Sequence, residues 1–243
     1  MSNSRTAIEW TDRTWNPTTG CTKISPGCRY CYAETMARRF THHFPDGFRF
    51  TLHPERLEQP LRWKKPSRIF VDSMSDLFYE KMPIDYLQRA FEIMHSCPQH
   101  VFQVLTKRAE RLRQIAPLLP WPPNVWIGVS VETQQYTHRV AALRQVPATV
   151  RFLSCEPLLG PLELELKDIH WVIAGGESGP RHRPVDERWL LAIRDQCLEA
   201  DVPFFFKQWG GATPKARGRL LAGRTWDAYP CAPTELRAAT AAA

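Results

Sequence analysis

The sequence predicts an α/β fold, a partial (β/α) barrel of six or seven parallel strands. Short runs of β-branched and aromatic residues recur down the chain and begin about 20 to 35 residues apart, the length of one strand–helix unit. Helical patterns fill the intervals between these runs. Because the runs are apolar along nearly their whole length, they suit parallel strands covered on both faces. Periodicity alone leaves a doubly wound sheet as the competing architecture.

The strands and helices can be assigned in chain order. A first strand is expected between Trp10 and Trp15. The later strands are expected at residues 68–72, 101–106, 125–131, 150–155, 170–174 and 202–206. Apolar residues at helical spacing predict helices over residues 33–40, 84–94 and 189–197. Pro83 and Asp186 precede the last two helices and suit a helix start.

Chain length favours a single domain. At 243 residues the chain is long enough for one large α/β domain and too short for two. We expect residues 1–210 to form the partial barrel, with a cysteine loop at 20–33 and an insertion at 40–66. Residues 211–243 are rich in Pro, Gly and Ala and are expected to form a loop-rich tail with a disordered end.

Composition indicates a cytoplasmic protein with no membrane partner. No run approaches the eighteen or so apolar residues of a membrane span, and residues 1–10 lack the apolar stretch of a signal peptide. The seven cysteines are therefore expected to be reduced, which favours a metal site over disulfides. The net charge of +7 hints at a polyanionic partner, although the positive charge is spread along the chain.

Three cysteines lie close together near the start of the chain: Cys21, Cys28 and Cys31. Three thiolates can hold an iron–sulfur cluster that leaves one iron free to bind another ligand. Zinc is the main alternative, because the last two cysteines have the spacing of half a tetrahedral zinc site. The remaining cysteines are scattered and are expected to be small buried hydrophobes: Cys97, Cys155, Cys197 and Cys231.

Polar residues stand where nearly every predicted strand ends. In barrels and open α/β sheets, function sits at these carboxyl ends. Strand alternation puts Ser130 and Glu132 on one face, while Ile127 and Val129 point to the helices. We therefore expect carboxylates and lysines to converge on one rim. The strand-end residues are Asp72, Asp76, Lys107, Ser130, Glu132, Glu156, Gly175, Gly176, Glu177 and Lys207.

The cysteine loop resembles the cluster loop of radical S-adenosylmethionine enzymes. Asn-Pro-Thr-Thr-Gly-Cys at 16–21, followed by Gly-Cys-Arg-Tyr-Cys-Tyr-Ala at 27–33, is most similar to the branch that contains spore photoproduct lyase. That pattern usually places three residues between the first two cysteines, whereas here six separate Cys21 from Cys28. Over residues 7–230 the chain also resembles the phage Gp37/Gp68-type family, or three-cysteine-motif proteins, in stretches such as 105–108 and 205–209.

The resemblance implies a radical-S-adenosylmethionine-like fold and a specific pair of cofactors. Cys21, Cys28 and Cys31 would ligate three irons of a [4Fe–4S] cluster, and S-adenosylmethionine would bind the fourth iron. Tyr30 would pack near the cluster and the adenine.

The resemblance also implies cofactor contacts from the strand ends. Ser130 or Glu132 sits where residues that contact the ribose usually lie. Gly175, Gly176 and Glu177 form the kind of turn that supports the methionine amino group. In the superfamily that turn normally follows the second strand, whereas here it follows a late one.

The leading hypothesis is a radical S-adenosylmethionine enzyme. An external one-electron donor would reduce the cluster, and cofactor cleavage would give a 5′-deoxyadenosyl radical that abstracts a substrate hydrogen. Lys107, Glu156 and Lys207 are the candidates for substrate binding or proton transfer. The basic charge, Trp209 and the phage resemblance favour a nucleotide or nucleic-acid substrate.

Two other functions remain open from the residues alone. One is a zinc-stabilised nucleic-acid-binding protein without catalysis, against which the strand-end polar residues argue. The other is a metal-independent hydrolase that uses paired carboxylates, against which the compact cysteine loop argues.

Overall fold

The computed structural model describes residues 6–230, in which seven parallel strands curl into a half-barrel. This confirms the predicted partial barrel. The spatial order of the seven strands follows their order along the chain, whereas a doubly wound sheet reverses direction at a switch point. The strands of the described residues are β1 (Arg13–Trp15), β2 (Thr18–Thr19), β3 (Thr51–Leu52), β4 (Arg68–Val71), β5 (Val101–Thr106), β6 (Val125–Ser130), β7 (Val150–Cys155), β8 (Trp171–Gly175) and β9 (Phe204–Gln208).

The half-barrel contains β1 and β4 to β9, and β2 pairs with β3 in a separate antiparallel ribbon. The helices of the described residues are α1 (Tyr32–Arg39), α2 (Pro54–Leu57), α3 (Ile84–His95), α4 (Ala109–Ile115), α5 (His138–Arg144) and α6 (Glu187–Glu199). The predicted helices are confirmed as α1, α3 and α6. Asp186 caps α6, because its side chain accepts a hydrogen bond from the amide of Arg188.

Two strands depart from their predicted bounds by two residues or more, whereas β4, β6 and β8 differ by one residue. The first strand is shorter than expected: only Arg13–Trp15 pair with β4, and Trp10 lies inside the barrel. The last strand begins two residues later than expected, after Pro203. Proline has no N–H to donate to a sheet, which fits its place just ahead of the ladder.

The two faces of the half-barrel carry separate cores. Side chains such as Ile127 and Val129 pack outward against apolar residues of the helices, as predicted. The inner face holds a second cluster of mostly aromatic side chains, here called the aromatic floor: Trp10, Phe70, Trp126, Val150, Phe152, Trp171, Ile173 and Phe205. Most of its members lie in the first three residues of their strands, and Trp10 precedes β1. The polar strand-end residues lie at the opposite end of the same strands.

The segment from 40 to 66 and the chain after β9 both pack against the barrel. The indole of Trp15 donates to the carbonyl of Arg56 at 2.9 Å. The amide of Phe206 donates to the carbonyl of Trp226 at 2.9 Å, and the side chain of Leu221 is fully buried. The expected disordered end and Cys231 fall outside the described residues. No helix within residues 6–230 combines the length and the apolar character that crossing a membrane requires.

Gly128 provides a first test of this packing. A Cβ on Gly128 would lie 2.5 to 2.6 Å from ring carbons of Phe152 in the aromatic floor. Gly128→Ala should therefore lower the free energy of unfolding by about 1–3 kcal/mol, measured by urea denaturation. Gly160→Ala is the matched control, because no atom lies within 4 Å of its Cβ position. Equal stability of the two variants would contradict the packing described here.

Asp72 links the end of β4 to the β2–β3 ribbon. Its carboxyl group is buried and accepts hydrogen bonds from the amide and the hydroxyl of Thr18, at 3.1 and 2.6 Å. Burial raises the pKa of Asp72 to about 8, against the opposing effect of the Thr18 hydrogen bonds, and the charge of Asp76 raises it further.

The folded protein therefore binds a proton at Asp72 between pH 4 and 8 that the unfolded chain releases. Because the folded pKa is the higher one, the contribution of this group to stability falls as pH rises, by about 1.4 kcal/mol per pH unit. Asp72→Asn should remove that slope between pH 5.5 and 7.5 in urea denaturation. Asparagine also tolerates the positive φ of 54° at this position.

Asp12→Asn is the control for this slope. Burial alone would raise the pKa of Asp12, but hydrogen bonds and charge from Arg68 lower it. Asp12 is therefore ionised in both states above pH 5, and its replacement should leave the slope unchanged. A wild-type slope that survives Asp72→Asn would contradict the protonated carboxyl.

Candidate functional site

The strand-end residues predicted from the sequence lie on one edge of the half-barrel, where the charged side chains other than Asp72 form ion pairs. Lys107 Nζ lies 3.2 Å from Glu132 Oε1. Lys207 Nζ lies 3.3 Å from Glu156 Oε1. Arg183 Nη2 lies 2.6 Å from Glu177 Oε1. Ion pairs, each with a carboxylate and a cation that neutralise one another, therefore follow the ends of β5 to β9.

Glu132 is the most enclosed of these carboxylates. It is fully buried, and both of its oxygens have partners. Oε2 accepts from Arg139 Nη1 at 2.9 Å, and Oε1 accepts from the hydroxyl of Ser25 at 2.6 Å while facing Lys107. Burial would raise the pKa of Glu132, but Lys107 and Arg139 outweigh it and hold the pKa below its usual range. The carboxylate is therefore charged and fixed.

Between Cys21 and Cys28 the cysteine loop is attached to the barrel at three points, in addition to the bonds that Gly20 and Tyr32 make to residues 73–75. Ser25 donates to Glu132, and a Cβ on Gly27 would lie 2.5 Å from Glu132 Oε1. Arg183 Nη2 donates to the carbonyl of Pro26 at 3.0 Å. Arg108 Nη2 donates to the carbonyl of Thr22 at 3.0 Å. All three attachments fall on residues between Cys21 and Cys28.

Arg108 is itself held by carboxylates. Its Nη1 lies 3.0 Å from Asp76 Oδ2, and its Nε bonds both oxygens of Glu80 at 3.0 Å. Asp76 also accepts from the hydroxyl of Thr106 at 2.7 Å. The end of β5 is thereby joined to the loop after β4 and to the cysteine loop.

Contacts of the residues that lead into Cys21 explain the Asn and the Gly of the motif. The side-chain oxygen of Asn16 accepts from the amide of Met74 and from the hydroxyl of Ser73, both at 3.1 Å. Gly20 has a φ of +79°, and a Cβ there would lie 2.2 Å from the carbonyl oxygen of Arg49. Only glycine fits this turn.

The three loop cysteines are half-buried and unpaired, whereas Cys97, Cys155 and Cys197 are buried in the core as predicted. Burial raises the pKa of Cys21 to about 12, and it also raises the pKa of Cys31 against the influence of the Ala33 and Glu34 amides. Metal binding to these thiols would therefore release protons.

The donor set consists of three thiols, which are ligands that an iron–sulfur cluster can use. Residues 6–230 contain no group of three or more His, Cys, Asp or Glu that could hold a metal ion as they stand, so the cluster stays a prediction. The buried hydroxyl of Ser130, on the inner face of β6, has no hydrogen-bond partner within the described residues. It is a free polar group on the same edge.

The Gly-Gly-Glu turn after β8 is shaped by close packing. A Cβ on Gly176 would lie 2.1 Å from the carbonyl oxygen of Trp209, and a Cβ on Gly175 would lie 2.7 Å from Glu156 Oε1. Glu177 uses both oxygens to bind Arg183, at 2.6 and 2.8 Å. The cofactor contacts expected of Ser130, Glu132, and this turn stay predictions.

Sequence reasoning missed Arg139 and Arg183. Arg139 lies in α5 with its side chain 4% exposed, and Arg183 lies in the loop before α6. An isolated arginine in a helix or loop usually marks a solvated surface. The acidic residues at the strand ends were the only available signal, because buried carboxylates require cationic partners.

Solved structures of spore photoproduct lyase have a similar fold. A cysteine-to-serine mutant matches with a TM-score of 0.52 at 13% identity, over 73% of this chain and 59% of that chain. The enzyme complexed with dinucleoside spore photoproduct matches with a TM-score of 0.51 at 12% identity, over 76% and 61%. This chain thus spans about three fifths of the length of these structures. The shared fold is the radical S-adenosylmethionine partial barrel.

The sequence comparisons add a family. The comparison with curated protein sequences gives no match. The resemblance to the phage Gp37/Gp68-type family is not confirmed, since the family model that matches carries another description. That model, "protein of unknown function (DUF5131)", matches residues 5–230, and the chain therefore belongs to this family.

Proposed function

We propose that this protein is a radical S-adenosylmethionine enzyme that holds a [4Fe–4S] cluster at Cys21, Cys28 and Cys31. The observation that carries the proposal is the combination of a radical-S-adenosylmethionine half-barrel with three unpaired cysteines on a loop attached to its polar edge. The expected cytoplasmic location agrees with it, because thiols stay reduced there.

When bound, the cluster and S-adenosylmethionine supply a 5′-deoxyadenosyl radical that abstracts a hydrogen atom from the substrate. Glu132, through Ser25, keeps the cysteine loop against the end of β6. The hydroxyl of Ser130 is free to bond a polar group of the cofactor. The aromatic floor closes the barrel below the edge and keeps water from the reacting groups.

The substrate we propose is a nucleotide or a nucleic acid. A structure of similar fold was solved with a dinucleoside spore photoproduct, and this chain has a net charge of +7. Lys207 and Glu156, paired at 3.3 Å, are suited to hold or move a proton beside the substrate. Lys107 is less available to bind substrate, because it forms an ion pair with the buried Glu132. The reducing electron comes from an external donor.

Reconstitution tests the cofactor. The protein is loaded anaerobically with iron and sulfide, reduced, and given S-adenosylmethionine. We expect about four irons per chain and formation of 5′-deoxyadenosine, measured by chromatography. Cys21→Ala, Cys28→Ala and Cys31→Ala should each abolish the product, because each removes an iron ligand.

Cys97→Ala is the matched control, because Cys97 is buried in the core away from the loop. It should keep both iron and product. Iron content that is unchanged in the three loop variants, or one tightly bound zinc per chain in place of iron, would refute the proposal.

Glu132→Gln tests the attachment of the loop. The variant keeps the shape of the side chain but leaves Arg139 and Lys107 without a counter-charge, which should cost about 3–5 kcal/mol of unfolding free energy. The apo-protein's loop cysteines should also react faster with a thiol reagent, because Ser25 loses its charged acceptor.

Glu165→Gln is the control for this variant, since Glu165 pairs with Arg144 on the surface with its side chain 73% exposed. It should change neither stability nor thiol reactivity appreciably. Wild-type thiol reactivity in Glu132→Gln would show that the loop is held by other means.

A further inference from the structure

Three guanidinium groups surround the ring of Tyr30, the aromatic residue inside the cysteine loop. The guanidinium carbons of Arg29, Arg181 and Arg183 lie 5.3, 5.0 and 5.3 Å from the ring centre. An arginine guanidinium is attracted to the face of an aromatic ring. The ring of Tyr30 thus holds three positive charges close together. The arrangement concentrates positive charge beside the cysteines.

Only one of these arginines is neutralised. Arg183 forms a two-pronged pair with Glu177. Arg29 and Arg181 are exposed, and no carboxylate of residues 6–230 forms an ion pair with either. Two unpaired guanidinium groups held around one ring are suited to bind an anion from outside the chain.

A second aromatic–arginine pair extends this positive surface. The guanidinium carbon of Arg217 lies 5.8 Å from the ring centre of Trp209, and Arg217 is exposed without an ion-pair partner in the described part of the chain. The two loops are joined, because Gly211 donates to the carbonyl of Glu177 at 3.0 Å and Gly179 donates to the carbonyl of Gly211 at 2.9 Å. We call the combined set the Tyr30 surface: Arg29, Tyr30, Arg181, Arg183, Trp209 and Arg217.

The openness of the Tyr30 surface indicates an extended ligand. A cavity of about 300 Å³ lies elsewhere on the edge, but three of its cations, Lys107, Arg108 and Arg139, are already paired with carboxylates. The free cations instead stand on exposed loops with aromatic rings between them. Alternating arginines and aromatic rings on an open surface suit a strand whose phosphates and bases alternate.

We propose that the Tyr30 surface binds a nucleic-acid strand, with Arg29, Arg181 and Arg217 contacting its phosphates. The strand then passes beside Cys28 and Cys31 at the polar edge of the half-barrel. This inference rests on the proposed function for its substrate class and adds the residues that bind it. It assigns Tyr30 the further role of spacing the arginines.

Binding by the apo-protein tests the surface separately from the cofactor. The probe is a fluorescein-labelled single-stranded oligonucleotide of about twelve nucleotides, enough for one such site, titrated by fluorescence anisotropy at several salt concentrations. Arg29→Gln with Arg181→Gln should weaken binding roughly tenfold at 0.1 M salt and reduce the slope of log K against log salt by about 1.4. Arg217→Gln alone should reduce that slope by about 0.7.

Arg39→Gln with Arg113→Gln is the matched control, because it removes the same charge from exposed sites and Arg39 likewise lies over an aromatic ring. It should leave the slope within experimental error of wild type. Equal losses in both double variants, or no binding by wild type, would overturn the proposal. The proposal would also be overturned if these Tyr30-surface variants bound S-adenosylmethionine less tightly but kept wild-type affinity for the oligonucleotide.

The outcomes separate the two proposals. Loss of oligonucleotide binding in the Tyr30-surface variant supports this inference even if the loaded protein forms no 5′-deoxyadenosine. Formation of 5′-deoxyadenosine with unchanged oligonucleotide binding in that variant supports the enzyme and overturns the surface.

Discussion

The buried charge of Glu132 is the interaction on which the polar edge depends. A carboxylate taken out of water must be compensated by cations and hydrogen bonds, or the fold loses several kcal/mol. Here the compensation comes from three separate parts of the chain: the end of β5 through Lys107, α5 through Arg139, and the cysteine loop through Ser25. Satisfying one charge thus fixes two neighbouring strand ends, a helix and the loop relative to one another.

The half-barrel divides the inner face into two levels of different chemistry. Aromatic side chains fill the end where the strands begin, and ion pairs occupy the end where they finish. Since all seven strands are parallel, the two levels lie at opposite ends of the same strands, and β6 to β9 contribute residues to both. A ligand at the edge would therefore meet a rigid apolar layer below and fixed charges around it, which favours precise orientation over induced rearrangement.

Local sequence pattern was sufficient for the parallel strands and for the location of the polar residues, whereas the strand order of the structure was needed to exclude a doubly wound sheet. Apolar runs identify buried parallel strands, and parallel strands end at one edge, so Lys107, Glu132 and Lys207 could be placed together. The arginine partners of Glu132 and Glu177 could not be foreseen. Arg139 and Arg183 come from a helix and a loop, and only the tertiary structure shows that they point to carboxylates. The sequence placed these charges on one rim, and the tertiary structure adds which cation pairs with which carboxylate.

The three attachments to the barrel explain why six residues separate Cys21 from Cys28. Thr22, Ser25 and Pro26 are all bonded to barrel side chains, so the added length serves as a set of anchor points. The path of the loop between the two cysteines is then determined by its hydrogen bonds to barrel side chains. It follows that cysteine spacing in such a chain measures the distance between anchors. A search for related loops should therefore use the anchoring residues as its signature, and leave the number of intervening positions unconstrained.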